Sequence, residues 1–89
     1  MTLAFGNFEF DHATYDASSD VLYLRAGAPQ PAARTVATRE GHAIRYDGGG
    51  EVIGVTLVNA RWLLDRDGEI SLSDEHLSRA LLEPLLADS

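Results

Sequence analysis

Eighty-nine residues, 45% of them hydrophobic, fit one folded domain (1–89) and leave no room for a second. Twelve of the apolar residues are Ala, so the core must be thin. A net charge of −7 argues against nucleic acid or an anionic membrane as the partner, because both need cationic contacts.

The absences narrow the chemistry further. The sequence has no Cys, which excludes disulfides, thiolate metal sites and Cys nucleophiles. It has no Lys either, so all seven basic residues are Arg. That removes Schiff-base chemistry and the phosphate loop that depends on Lys. No apolar run approaches the ~20 residues of a membrane span. The start, MTLAFGNFEFD, carries no positive charge before its apolar part and does not read as a signal peptide. A cytoplasmic location is the default expectation, and no cofactor is implied.

Taken in chain order, the elements begin with FEFDHATY (8–15), which alternates, Phe8, Phe10, His12 and Thr14 sharing one face. DASSD (16–20) is a polar turn, and VLYLR (21–25) completes a hairpin. AGAPQPAA (26–33) is a loop. TVAT (35–38) adds a short strand. HAIRYD (42–47) alternates into Gly48-Gly49-Gly50, which suits a tight turn. EVIGVTLVNA (51–60) is the most strand-like run, with Ile53, Val55 and Leu57 on the core face and Gly54 marking a bulge or a close backbone approach. WLL (62–64) and EISL (69–72) flank a turn at Asp65-Arg66-Asp67-Gly68. Ser73 then reads as the N-cap of a helix, with Asp74 and Glu75 at its positive end. A staple between Leu72 and Leu77 supports that start. Leu77, Leu81 and Leu85 recur every four residues. Pro84 predicts that the helix stops near Leu82 or restarts.

YDASSDVLYL (15–24) and GHAIRYDGGGEVIGVTLVNA (41–60) together resemble the small bacterial domain of unknown function 2283. Tyr15, Asp16, Asp20, Leu22, Tyr23, Leu24, Tyr46, Asp47, Gly50, Ile53 and Gly54 carry the resemblance. Thr56 and Asn59 depart from it, where the family favours Glu and Asp. The resemblance implies a small antiparallel sheet and no established activity. It also implies an antitoxin-like or partner role, because such domains are often encoded beside small toxin-like proteins.

Among candidate sites, Asp65, Asp67 and Asp74 resemble part of a calcium loop. Its first position would be Leu63, which offers no ligand, so a turn is the better account. His12, His42 and His76 fall in three different elements, without the spacing of a helical metal site. Ser18, Ser19 and Asp20 lack a nucleophile elbow and read as a turn. Asp16 and Asp47 end strands at turns. No catalytic constellation survives. Arg25, Arg34, Arg39 and Arg45 against Glu40 make residues 25–45 net +3, while residues 65–89 are net −5. The Arg group either pairs with the acidic segment, in this chain or in a second copy, or binds a phosphate-bearing ligand through Arg34, Arg39 and His42. The first is favoured.

The fold expected is α+β: an antiparallel β-meander of four to five strands with one C-terminal helix. A thin core and unpaired sheet edges predict a homodimer. The leading function is a non-enzymatic protein-interaction domain. Trp62, Leu77, Leu81 and Leu85 would form its contact surface, and a small basic protein would be its partner. The alternative is a small anion- or phosphate-binding protein or enzyme that uses the stretch from Arg25 to Arg45.

Overall fold

A computed structural model describes residues 2–87; Asp88, counted in the acidic segment above, lies outside them. The fold is α+β and antiparallel throughout, as expected. A short hairpin comes first, β1 (Leu3–Phe5) with β2 (Phe8–Phe10). A five-stranded sheet follows: β3 (His12–Asp16), β4 (Val21–Arg25), β5 (Arg34–Ala37), β6 (Ala43–Tyr46) and β7 (Val52–Val58), in the spatial order β3-β4-β7-β6-β5. Helix α1 (Ala60–Asp67), the hairpin β8 (Glu69–Leu72) with β9 (Glu75–Ser78), and helix α2 (Arg79–Ala87) complete the chain. No described helix is long and apolar enough to cross a membrane.

Side-chain alternation decides which face of the five-stranded sheet is covered. Leu22, Leu24, Ile44, Val55 and Leu57 point to one face. There they meet Leu3 and Phe10 of the first hairpin, Leu64 of α1, Ile70, Leu72 and Leu77 of the second hairpin, and Leu82 and Leu86 of α2 in a single cluster. Both hairpins and both helices therefore pack on the same side. The other face carries no covering element and is bordered by the loop 26–33.

Four local expectations are corrected. The run 8–15 is not one strand: it breaks at Asp11, so Phe10 faces the core in β2, while in β3 it is Ala13 and Tyr15 that pack against it and His12 that is exposed. Asp65 to Asp67 are not a turn but the end of α1. Gly68 caps the helix with φ +76°, its N–H donating to the Leu64 carbonyl at 2.8 Å. A Gly after Asp signals a hairpin turn and a helix C-cap alike, and here the apolar pair Ala60 and Leu64 settles it as helix. The final helix starts five residues later than Ser73. Ser73 and Asp74 form the β8–β9 turn, and the Ser78 hydroxyl accepts the Leu81 N–H at 3.2 Å as the true N-cap. Pro84 neither ends nor restarts the helix but sits inside α2.

The bulge at Gly54 is present. The β6–β7 register shifts between Arg45 and Tyr46, which face Gly54 and Val52, leaving Ile53 unpaired. Ile53 is buried yet stands apart from the main cluster, unlike Val55 and Leu57. A Cβ on Gly54 would lie 3.1 Å from the Leu24 carbonyl, so the close backbone approach is also real.

Candidate functional site

The uncovered sheet face is ordered by strand register. One cross-strand row runs His12–Arg25–Gly54–Arg45–Thr35, and the next runs Thr14–Tyr23–Thr56–Ala43–Ala37. Gly54 has no side chain, so Arg45 lies across it: its Nη1 comes within 3.6 Å of where a Cβ would stand. Arg25 and Arg45 thus stand on either side of Gly54 in one row, with the Arg45 side chain covering the buried glycine. Each gives one guanidinium hydrogen bond to the bordering loop, Arg25 Nη1 to the Gly27 carbonyl (2.7 Å) and Arg45 Nη2 to the Gln30 carbonyl (3.0 Å). A guanidinium has five donors, so both retain free ones. His12, Thr14, Tyr23, Arg25, Arg45 and Thr56 line a shallow concavity of about 120 Å³ here. Tyr23, central on the face, is 46% exposed.

Charge sharpens the contrast between the two halves. Among the described residues, none of Arg25, Arg34, Arg39 and Arg45 forms an ion pair. The expected pairing of these Arg with the acidic segment of the same chain is absent among the described residues. That segment pairs with nearer Arg instead. Arg61 meets Glu83 at 2.7 Å, Arg79 reaches Glu83 at 3.4 Å and Asp65 at 3.7 Å, and Arg66 meets Asp67 at 2.8 Å. The hydrogen bond from Arg61 holds the Glu83 carboxyl below its ordinary range.

The trio Arg34, Arg39 and His42 is not brought together. Arg34 pairs with Tyr46 at one end of the β5–β6 hairpin and stacks over its ring at 4.6 Å, whereas His42 lies beyond the other end, past Ala43. Arg39 lines a separate cleft with Thr38, Ser73 and Asp74. His42 is only 2% exposed, and its Nδ1 accepts the Val58 N–H at 3.0 Å. Burial pushes its pKa down, with Glu40 partly opposing.

The proposed contact residues divide. Trp62 is 54% exposed, with the Arg66 guanidinium 4.4 Å from its ring centroid. Leu77 is fully buried, and Leu81 and Leu85 are half-buried against the chain's own core. Asp65 and Asp67 lie on α1 and Asp74 in the β8–β9 turn. Among the described residues, no group of three or more His, Asp or Glu is arranged to hold a metal. His76 Nδ1 instead meets Glu69 at 2.8 Å.

The turn readings hold for Asp16 and Asp47, whose carboxylates accept the N–H of Ser18 and of Gly49 and Glu51. Asp20 has a larger role that no local pattern signals. Its carboxylate accepts the Arg61 N–H at 2.7 Å and the Trp62 N–H at 3.1 Å, while its carbonyl accepts the Ala60 N–H. It is the N-terminal cap of α1, supplied from about 40 residues upstream, in place of Asn59, whose side chain makes no cap bond. The Tyr15 hydroxyl donates to the same carboxylate at 2.6 Å, which pushes the Tyr15 pKa up to about 12. Tyr15 and Asp20, Leu22 and Leu24, Asp16 and Asp47, and Gly54 therefore serve the cap, core, turns and bulge. Tyr23 serves none of these.

The architecture defines a small α+β protein built on a five-stranded antiparallel sheet with one open face. Within that class the chain belongs to the family "Protein of unknown function (DUF2283)", whose pattern matches residues 12–61. The matched stretch contains the whole five-stranded sheet and the start of α1. No curated protein and no solved structure matches the chain.

Proposed function

We propose that this protein is a non-catalytic binding domain whose open sheet face receives an anionic group between Arg25 and Arg45. One observation carries this reading: Arg25 and Arg45 share one cross-strand row through Gly54 and line the same concavity, with no carboxylate ion-paired to either among the described residues. A fixed pair of guanidinium forks matches the oxygens of phosphate or carboxylate. Asp16, Asp20 and Asp47 are occupied in turns and the helix cap, and Asp65, Asp67 and Glu83 in ion pairs, which supports binding over catalysis.

Docking of a small basic protein on the acidic segment has less support. Asp65, Asp67 and Glu83 of that segment are met by Arg61, Arg66 and Arg79, and Leu77 is inside the core.

The test is an amide NMR titration with inorganic phosphate, using chloride at equal ionic strength as the control. Saturable shifts confined to residues around His12, Tyr23, Arg25, Arg45 and Gly54 are expected. Arg25→Gln and Arg45→Gln should each weaken binding about tenfold or more, the scale of a hydrogen bond to a charged group. Arg34→Gln and Arg39→Gln should not. Shifts centred on Arg34 or Arg39, or none that saturate, would overturn the reading.

A further inference from the structure

The anion reading leaves Tyr23 without a role, and the register gives it one. Tyr23 shares strand β4 and the open face with Arg25, two residues away. Along a strand that is roughly 6.6 Å, a gap one ribose can span. Thr14 and Thr56 stand directly opposite Tyr23 on the strands to either side, so its ring is bracketed by two hydroxyls. Neither is bulky enough to cover it. The ring makes no hydrogen bond or ring contact among the described residues.

We propose that the ligand of this face is a nucleoside monophosphate, its phosphate held between Arg25 and Arg45 and its base stacked on Tyr23. This rests on the anion-binding reading above and deepens it. Stacking on an exposed aromatic in the middle of a sheet, beside cationic side chains, is how single bases are held on protein surfaces. The phosphate would sit in the concavity of about 120 Å³ and the base would lie flat on the exposed ring of Tyr23. His12 ends the row beside Arg25. Asp11 stands next to this end of the row: its carboxylate is 3.7 Å from His12 Nε2, accepts the Gly27 N–H at 2.9 Å and feels the charge of Arg25.

The charge balance selects a single nucleotide over a strand. A polymer needs several cationic contacts along its backbone, and the row offers two Arg on a protein of net charge −7. One phosphate needs only the local pair. The Thr hydroxyls both donate and accept, so they favour no particular base.

The experiment is isothermal titration of the full chain with AMP, ribose 5-phosphate, inorganic phosphate and a hexanucleotide. AMP is expected to bind about tenfold more tightly than ribose 5-phosphate, the increment of one stacked base. Tyr23→Ala should lower AMP affinity to that of ribose 5-phosphate; Tyr23→Phe should restore it. Equal affinity for AMP and ribose 5-phosphate would overturn the nucleotide assignment while the anion site stands. A hexanucleotide bound more tightly than AMP would overturn it in favour of a single strand. If none of the four binds, both readings fall.

Discussion

Two polar residues, Asp20 and the buried His42, show how much one side chain can hold in a chain this small. Asp20 satisfies two orphan N–H groups of α1 and the Tyr15 hydroxyl at once. Burial raises its pKa, but the bonds from Tyr15, Arg61 and Trp62 outweigh that and hold it below its ordinary 3.8. Its stabilising effect is therefore present above about pH 3.8 and is lost as pH falls through the lower folded value. Removing a cap costs ~1 kcal/mol, and leaving the Tyr15 hydroxyl unpaired adds to it. Asp20→Ala should cost about 2 kcal/mol in urea unfolding, and Asp20→Asn less, since Asn keeps an acceptor and tolerates the φ of +56° found here. His42 acts in the same direction at higher pH. Its buried Nδ1 accepts a backbone N–H only while that nitrogen is unprotonated, and its pKa is lowered by burial first. The unfolded chain binds the proton more readily, so stability falls as pH drops below about 6.5. His42→Asn, which keeps an acceptor at that place, should flatten this part of a stability–pH curve. An unchanged slope would remove His42 as its source.

At the scale of elements, α2 gives the clearest prediction. Pro84 lies inside it, where the Ala80 carbonyl lacks its usual donor, and its ring is exposed rather than packed. Pro84→Ala should raise stability, by up to about 3 kcal/mol. A lower urea midpoint would mean that the ring holds α2 in place. The central sheet was legible in the sequence because alternation and turn chemistry agree there. Leu22 and Leu24, Ile44, and Val55 and Leu57 alternate inward, and Asp16, Asp47 and the Gly run close the turns. The stretch after Ala60 was misread because its signals are degenerate. Asp67-Gly68 suits a turn or a helix end, and Ser73 and Ser78 both look like caps. The choice is made by tertiary packing, which buries Leu72 and Leu77 as hairpin neighbours rather than as successive turns of one helix. The candidate site was only half visible. The sequence showed an Arg-rich stretch, but only register places Arg25 and Arg45 on either side of Gly54 and leaves Arg34 and His42 elsewhere.

For the whole molecule, compactness revises the case for a second subunit. The radius of gyration is 12.2 Å and the accessible surface 5142 Å². A folded monomer of this size is expected to show about 12 Å and about 5100 Å². The core, thin in composition, is therefore closed by the chain's own two hairpins and two helices, and the argument for a dimer from core size falls away. What remains is the edge strand β5, whose residues are all exposed. Size-exclusion chromatography with light scattering should give the 9.6 kDa monomer at micromolar concentration. Twice that mass would indicate pairing through β5.

The cap on α1 has a consequence for the order of folding. The carboxylate that completes the helix comes from the β3–β4 turn, and the two meet only when β4 lies against β7. Eight-residue helices are marginal alone in water. Helix α1 should then be unformed in the transition state and dock after the central strands have joined. Substitutions at Asp20 should accelerate unfolding while leaving the refolding rate nearly unchanged. The last segment of the sheet unit to form would be the first to let go.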